Sequence, residues 1–262
     1  MNFVFKILKI ELNNVIKSRW FFFFFGFFFL VSYALLSFED NIQKSLLSLL
    51  NLVIYLAPLI TLIFGTMYFY NSQPYIEMML SQPIPRASLF VGLYLGTSIP
   101  LMLSFILGLF LPFLLFSDIL AYLNLFLILL LILILLTLSF VSIAFWISTE
   151  IGDKVKGLSL SILIWLVFGI AFDGLILFIT FLFSDYPLEK ILIGLTVLNP
   201  INLSRTIFVL NFEISALMGI TGAVFKKFFG SSLGTFVSLG SMLFWIVIPF
   251  LFGLIGFKRK DF

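Results

Sequence analysis

Six apolar runs set the terms for this chain: residues 20–38, 46–70, 89–116, 122–148, 158–183 and 235–257. A helix needs about twenty apolar residues to cross the hydrocarbon core of a bilayer, and each run is about that long or longer. Inside lipid there is no water to bond the backbone. Each amide must then be satisfied within its own segment, which a helix achieves. Composition excludes a soluble alternative. Hydrophobic residues make up 62% of the chain and charged residues 10%, and 37 of the 262 residues are phenylalanine. One water-soluble core of this size cannot cover so much apolar surface. The expected fold class is therefore all-α, a polytopic membrane helical bundle with six transmembrane helices, formed by residues 1–262 as a single domain. The first run is too long for a signal-peptide core, although Ser32-Tyr33-Ala34 loosely resembles a cleavage site, and no soluble mature protein follows it.

Charge placement orients the bundle. With the N-terminus inside, the inner segments hold Lys6, Lys9, Lys17, Arg19, Arg86, Lys154, Lys156, Lys258, Arg259 and Lys260, most of the 15 basic residues. The two short outer loops hold only Lys44. This is the positive-inside pattern, and an even number of spans returns both termini to the cytoplasm. The net charge of +3 makes no case for nucleic acid.

Residues 1–19 read as an interfacial amphipathic helix, suited to a membrane-lipid surface. Lys6, Lys9, Asn13 and Lys17 share one face, and Val4, Leu8, Leu12 and Val15 share the other. Glu11 falls among the apolar positions, where a charge is costly without a partner. Arg86 and Lys154, on the same side of the membrane, are the candidates. Arg19 and Trp20 anchor the inner edge of span one. Between spans five and six, residues 184–234 are too polar to span and too apolar to float, which fits surface-lying or re-entrant helices. Within them Asn199-Pro200 has the form of a helix N-cap followed by proline in the first turn.

Several motifs are weighed and set aside. Residues 230–234 spell G-x-S-x-G, but the chain has no histidine to act as base, so a loop leading into span six is the better reading. Gly152 and Gly157 have the spacing of a phosphate-binding loop, yet Leu158-Ser159 stands where Lys-Ser is needed, so this chain carries no ATP site. Cysteine is absent as well, and the methionines are scattered, so no metal site is expected. Gly92 and Gly96 form a G-x-x-x-G, a packing face for another helix. Asp173 is the clear carboxylate inside a span. It is either a polar point on a transport pathway or a structural partner for a neighbouring helix.

Taken in order, several stretches resemble the permease subunits of type-2 ABC transporters. They are Glu11-Leu12 with Lys17-Ser18-Arg19-Trp20, Leu80-Ser81-Gln82-Pro83-Ile84-Pro85-Arg86, Asp153-Lys154-Val155-Lys156-Gly157 with Trp165 and Phe172-Asp173, and Leu198-Asn199-Pro200 with Arg205. Asn71-Ser72-Gln73-Pro74 departs from the acidic, glycine-containing stretch of many relatives, so no role is carried onto those four positions.

The resemblance implies a non-enzymatic permease in the bacterial inner membrane. It implies a second copy of the chain and two cytoplasmic ATPase subunits that hold the ATP and magnesium, this chain binding no cofactor itself. It also implies a periplasmic β-helical protein as a further partner, with Asn199, Pro200 and Arg205 at that contact. Residues 74–88 are the expected ATPase contact. Tyr75, Met78 and Met79 sit on a short helix to fill a groove, with Glu77 and Gln82 as polar contacts and Arg86 at the membrane edge. Asp153, Lys154 and Lys156 form a secondary contact. The alternatives are a type-2 exporter permease for another substrate, a membrane-embedded enzyme and a secondary transporter. The last two lack a catalytic constellation and internal repeats respectively.

Overall fold

The computed structural model describes residues 3–39, 41–115, 119–183, 186, 188–211, 227–229 and 231–260. Among the described residues there is helix and no strand. Helix α1 (Phe3–Ile16) precedes α2 (Arg19–Phe38), α3 (Ile42–Asn71), the short α4 (Gln73–Leu80), α5 (Arg86–Leu114) and α6 (Ile119–Glu150). Span five is α7 (Lys154–Leu166), a π-helical turn (Val167–Ala171) and α8 (Phe172–Leu182) in succession. Helices α9 (Glu189–Leu198), α10 (Pro200–Leu210) and α11 (Ser232–Arg259) complete the series. Among the described residues, six helices are long and apolar enough to cross a membrane. The turn expected at Ser117-Asp118, Asp40 in the first outer loop and the mixed stretch 212–226 lie outside the described residues.

Helix α6 is the hub. It packs against α3, α5, α7, α10 and α11, and 61% of its most apolar stretch is buried. Phenylalanine fills the interior around it. Phe69, Phe90, Phe126, Phe140, Phe145 and Phe257 are fully buried, and Phe113 stacks on Phe126 with ring centroids 3.9 Å apart. The α7–α8 span is the opposite case, with 6% of its stretch buried. It stands on the flank of the bundle with Leu177, Phe178 and Phe181 outward.

The glycine pair of α5 seats α1. Helix α1 lies along α5, and a β-carbon on Gly92 would sit 2.6 Å from Ile7 Cγ2, while one on Gly96 would overlap the side chain of Glu11. Lower on the same helix Gly108 receives α2, where a β-carbon would meet Phe28 Cβ at 2.6 Å. The buried stripe of α1 is Ile7, Glu11 and Val15, so the helix is rotated from the expected Val4, Leu8, Leu12 and Val15 face. The close approach that glycine permits outweighs the local hydrophobic pattern.

At the far end α9 and α10 meet at a bend of 117°, the shape of a broken span or a re-entrant loop. Asn199 makes the corner. Its side-chain oxygen accepts from Ile201 N at 2.9 Å, as the N-cap reading requires, and its Nδ2 donates 2.7 Å to Phe168 O in the π-helical turn. Ser231 caps α11 by accepting from Gly234 N at 3.1 Å, so the G-x-S-x-G string is a helix start. Gly230 lies outside the described residues.

Candidate functional site

The basic end of the bundle is a platform of short connected pieces. Helix α4 carries Ile76 inward, fully buried, and leaves Glu77 and Met78 on the outside, with Gln82 exposed just past its end. Met79 and Tyr75 turn partly into the bundle. The Tyr75 hydroxyl is buried and has no hydrogen-bond partner among the described residues. Burial raises its pKa, and the nearby Glu11 carboxylate raises it further. The expected surface of Tyr75, Met78 and Met79 is therefore divided, with Met78 facing out and Tyr75 half hidden.

The loop from α6 to α7 is tied to the same platform. Lys154 Nζ donates 2.8 Å to Asn71 Oδ1 at the end of α3, and Tyr70 Oη donates 2.8 Å to Ile151 O. Asp153 caps α7 by accepting from Lys156 N at 2.8 Å, and the Lys156 side chain is exposed. The α6–α7 loop is thus anchored to the end of α3, where α4 begins. Arg86 is spent internally. Its Nη1 donates to Lys258 O at 2.9 Å and Lys260 O at 2.8 Å, closing the last carbonyls of α11. Arg19 is exposed at the start of α2.

Glu11 sits under this platform, 3% exposed, and neither Arg86 nor Lys154 reaches it. Its partner is Tyr68 of α3, whose hydroxyl donates to Glu11 Oε2. Burial raises the Glu11 carboxyl pKa above its ordinary value, and the Tyr68 bond offsets part of the rise.

A second cluster lies toward the α9–α10 corner. Arg205 Nη1 meets Asp173 Oδ2 at 3.1 Å, Tyr55 Oη donates 3.0 Å to the same oxygen, and Arg205 also donates to the Tyr55 hydroxyl. The guanidinium lies over the Tyr55 ring, 5.4 Å from its centroid. Spans two and five and the α9–α10 corner are thereby joined at one point. Asn199 and Pro200 are buried and serve the corner itself, so in this conformation they offer no surface to a partner. Arg205 is partly exposed and paired with Asp173.

The model of the ABC-2 family transporter proteins matches residues 5–262. The chain belongs to that family. No curated protein matches it. As an ABC-2 permease it is a multi-pass membrane protein and a component of a transporter, and the family is not itself catalytic.

For this permease, residue spacing alone did not reveal Tyr55 and Tyr68. Each is a tyrosine in an apolar run, and each finds its charged partner far along the chain. The Tyr68 contact changes what Glu11 substitutions should do. A glutamine can still accept from Tyr68, so Glu11→Gln should fold normally. Glu11→Lys places an unpaired cation at a buried site and should cost at least about 2 kcal/mol. The sign of the pH effect follows from the raised pKa. Glu11 contributes its full share of stability below its unfolded pKa and loses it as pH rises through the folded one. Melting temperatures across pH 4 to 9 should show a decline in the parent protein that Glu11→Gln flattens.

Proposed function

We propose that the chain is the transmembrane permease of an ATP-driven transporter in the bacterial inner membrane, acting as one domain with both termini cytoplasmic. Two copies work with two cytoplasmic ATPase subunits, which hold the ATP and magnesium. The observation that carries this reading is α4. It is a short helix with one fully buried anchor, Ile76, and an outward face of Glu77 and Met78, followed by the exposed Gln82 just past its end. A mobile surface loop would need no such anchor. Methionine adapts to a groove in a partner. The α6–α7 loop, with Lys156 exposed beside it and Lys154 linked to Asn71, supplies a second point of contact. Force applied to this platform reaches both α3 and α5 directly, since α4 packs against each of them.

The α7–α8 span supports a second copy. A span with 6% of its apolar stretch buried and a partly exposed Asp173–Arg205 pair on its flank is suited to face its counterpart across a pathway. Within the family the chain resembles NosY, the permease of the NosDFY system that matures nitrous-oxide reductase. On that reading the ATPase is NosF-like, and a periplasmic β-helical NosD-like protein meets the outer side, with Arg205 the partly exposed member of the three residues expected there. The chain has no cysteine or histidine to carry copper. It then moves another species, such as a sulfur compound, or transmits conformational work to the periplasmic partner.

The test is a double substitution, Glu77→Lys with Met78→Asp. Met79 is left alone because it also packs on the core. The variant should reach the membrane and melt within a few degrees of the parent, yet lose most ATPase binding and permease-stimulated hydrolysis. Retention of both would remove α4 from the coupling role.

A further inference from the structure

A groove of about 320 Å³ runs beside α3 at the elbow between α1 and α2. Its walls are apolar and aromatic. Trp20 and Phe24 come from α2, and Ile60 and Phe64 from α3. The Phe24 and Phe64 rings meet edge to face at 5.6 Å, and Trp20 lies 5.7 Å from Phe24. Its polar lining includes Asn14, Ser18 and Asn71, at the α1–α2 elbow and the end of α3. From Asn71 down to Ile60 is about 16 Å along the helix axis. The groove is thus apolar along α3, with its polar residues at the helix ends.

Cationic side chains lie beside these polar residues without lining the groove itself. Lys17 and Arg19 flank Ser18 and are exposed, and Lys154 is bonded to Asn71 at 2.8 Å. The acidic side chains nearby are already engaged, Glu11 with Tyr68 and Asp153 with the first turn of α7. The groove is open on the apolar flank of the bundle, where Trp20 and Phe23 are 52% and 61% exposed. In a membrane protein that flank faces acyl chains, and the elbow of an amphipathic helix sits at headgroup level.

We infer that this groove binds one acyl chain of an anionic phospholipid, with the headgroup phosphate held by Lys17, Arg19 and Lys154. The apolar length matches the tail, and the three cations match the phosphate. Such a lipid wedges α3 against the α1–α2 elbow, next to the Glu11–Tyr68 contact. The inference rests on the membrane topology and not on the ATPase reading.

Two measurements test it on the full chain. In native mass spectra after partial delipidation, the protein should keep phosphatidylglycerol in preference to phosphatidylcholine of the same chains. Lys17→Glu with Arg19→Glu should reduce the retained phosphatidylglycerol by roughly five-fold per cation, and Ile60→Trp, which fills the groove, should abolish the bound lipid. Phosphatidylglycerol with a photoreactive group in its tail should label peptides containing residues 59–67 in the parent protein. Because labelling uses unaltered protein, it decides the matter even if Ile60→Trp folds poorly. Equal retention of the two lipids, or no label in 59–67, would overturn the inference. So would a cysteine at position 60 that crosslinks to a second copy, since the groove would then be a protein interface.

Discussion

Gly96→Leu should detach α1 from the bundle while leaving the six spans inserted. A β-carbon at position 96 already overlaps the Glu11 side chain, and the adjacent Gly92 leaves 2.8 Å to Ile7 Cβ. Neither obstacle is the free end of a long side chain. Both are atoms next to the α1 backbone, so relief requires the whole helix to move. Overpacking of this kind costs about 1–3 kcal/mol, and the contacts of Ile7, Glu11 and Val15 are then lost as well. Limited proteolysis should cut within residues 1–18 of the variant and spare the parent. Gly26→Ala is the matched control, because nothing lies within 4 Å of a β-carbon there. If α1 stays protected in Gly96→Leu, the glycine face is not its seat. Since α1 connects α5 to the α3–α4 junction through Glu11 and Tyr68, the same variant should also weaken ATPase coupling.

Arg205→Ala should have the other large effect. It leaves the Asp173 carboxylate with Tyr55 as its remaining partner, in a span that faces lipid or a second copy. The pair is 33% and 26% exposed, so solvent screening limits the loss to about 1–2 kcal/mol. The contact with the Tyr55 ring adds about 0.5–1 kcal/mol. Asp173→Asn keeps an acceptor for Tyr55 but removes the counter-charge of Arg205. The double variant Asp173→Asn with Arg205→Gln carries no charge and should regain most of the lost melting temperature. Transport-linked ATP hydrolysis separates the two roles first read into Asp173. A double variant that is stable yet inactive makes the charge pair part of the cycle. One that is stable and active makes it a brace between spans two and five and the α9–α10 corner.

What was legible in the residues is local. Span number follows from run length, because a helix of fixed rise must cover a fixed thickness. The Asn199-Pro200 cap, the short helix before span three and the close-packing role of Gly92 and Gly96 each depend on a few adjacent side chains. Partner choice was not legible. Glu11 joins Tyr68 where Arg86 or Lys154 was expected, because helix rotation on a glycine face decides which side chain it meets. Arg86 closes the end of α11, 172 residues away in sequence. The division of α4 into an inward Ile76 and an outward Met78 depends on how α3 and α5 receive it. Asn199 and Pro200 were marked by a motif whose purpose is internal, since a buried corner needs its cap as much as a docking surface needs contacts.

The central claim is that this 29.9 kDa chain is half of a permease dimer driven by separate ATPases. Native mass spectrometry of the complex, extracted after co-expression with its ATPase, tests it most directly when paired with hydrolysis measurements on the same sample. The account predicts two copies of the chain with two ATPase subunits, and hydrolysis that falls when Glu77→Lys with Met78→Asp replaces the parent. An active complex holding a single copy, or a chain that never retains a nucleotide-binding subunit, would contradict it.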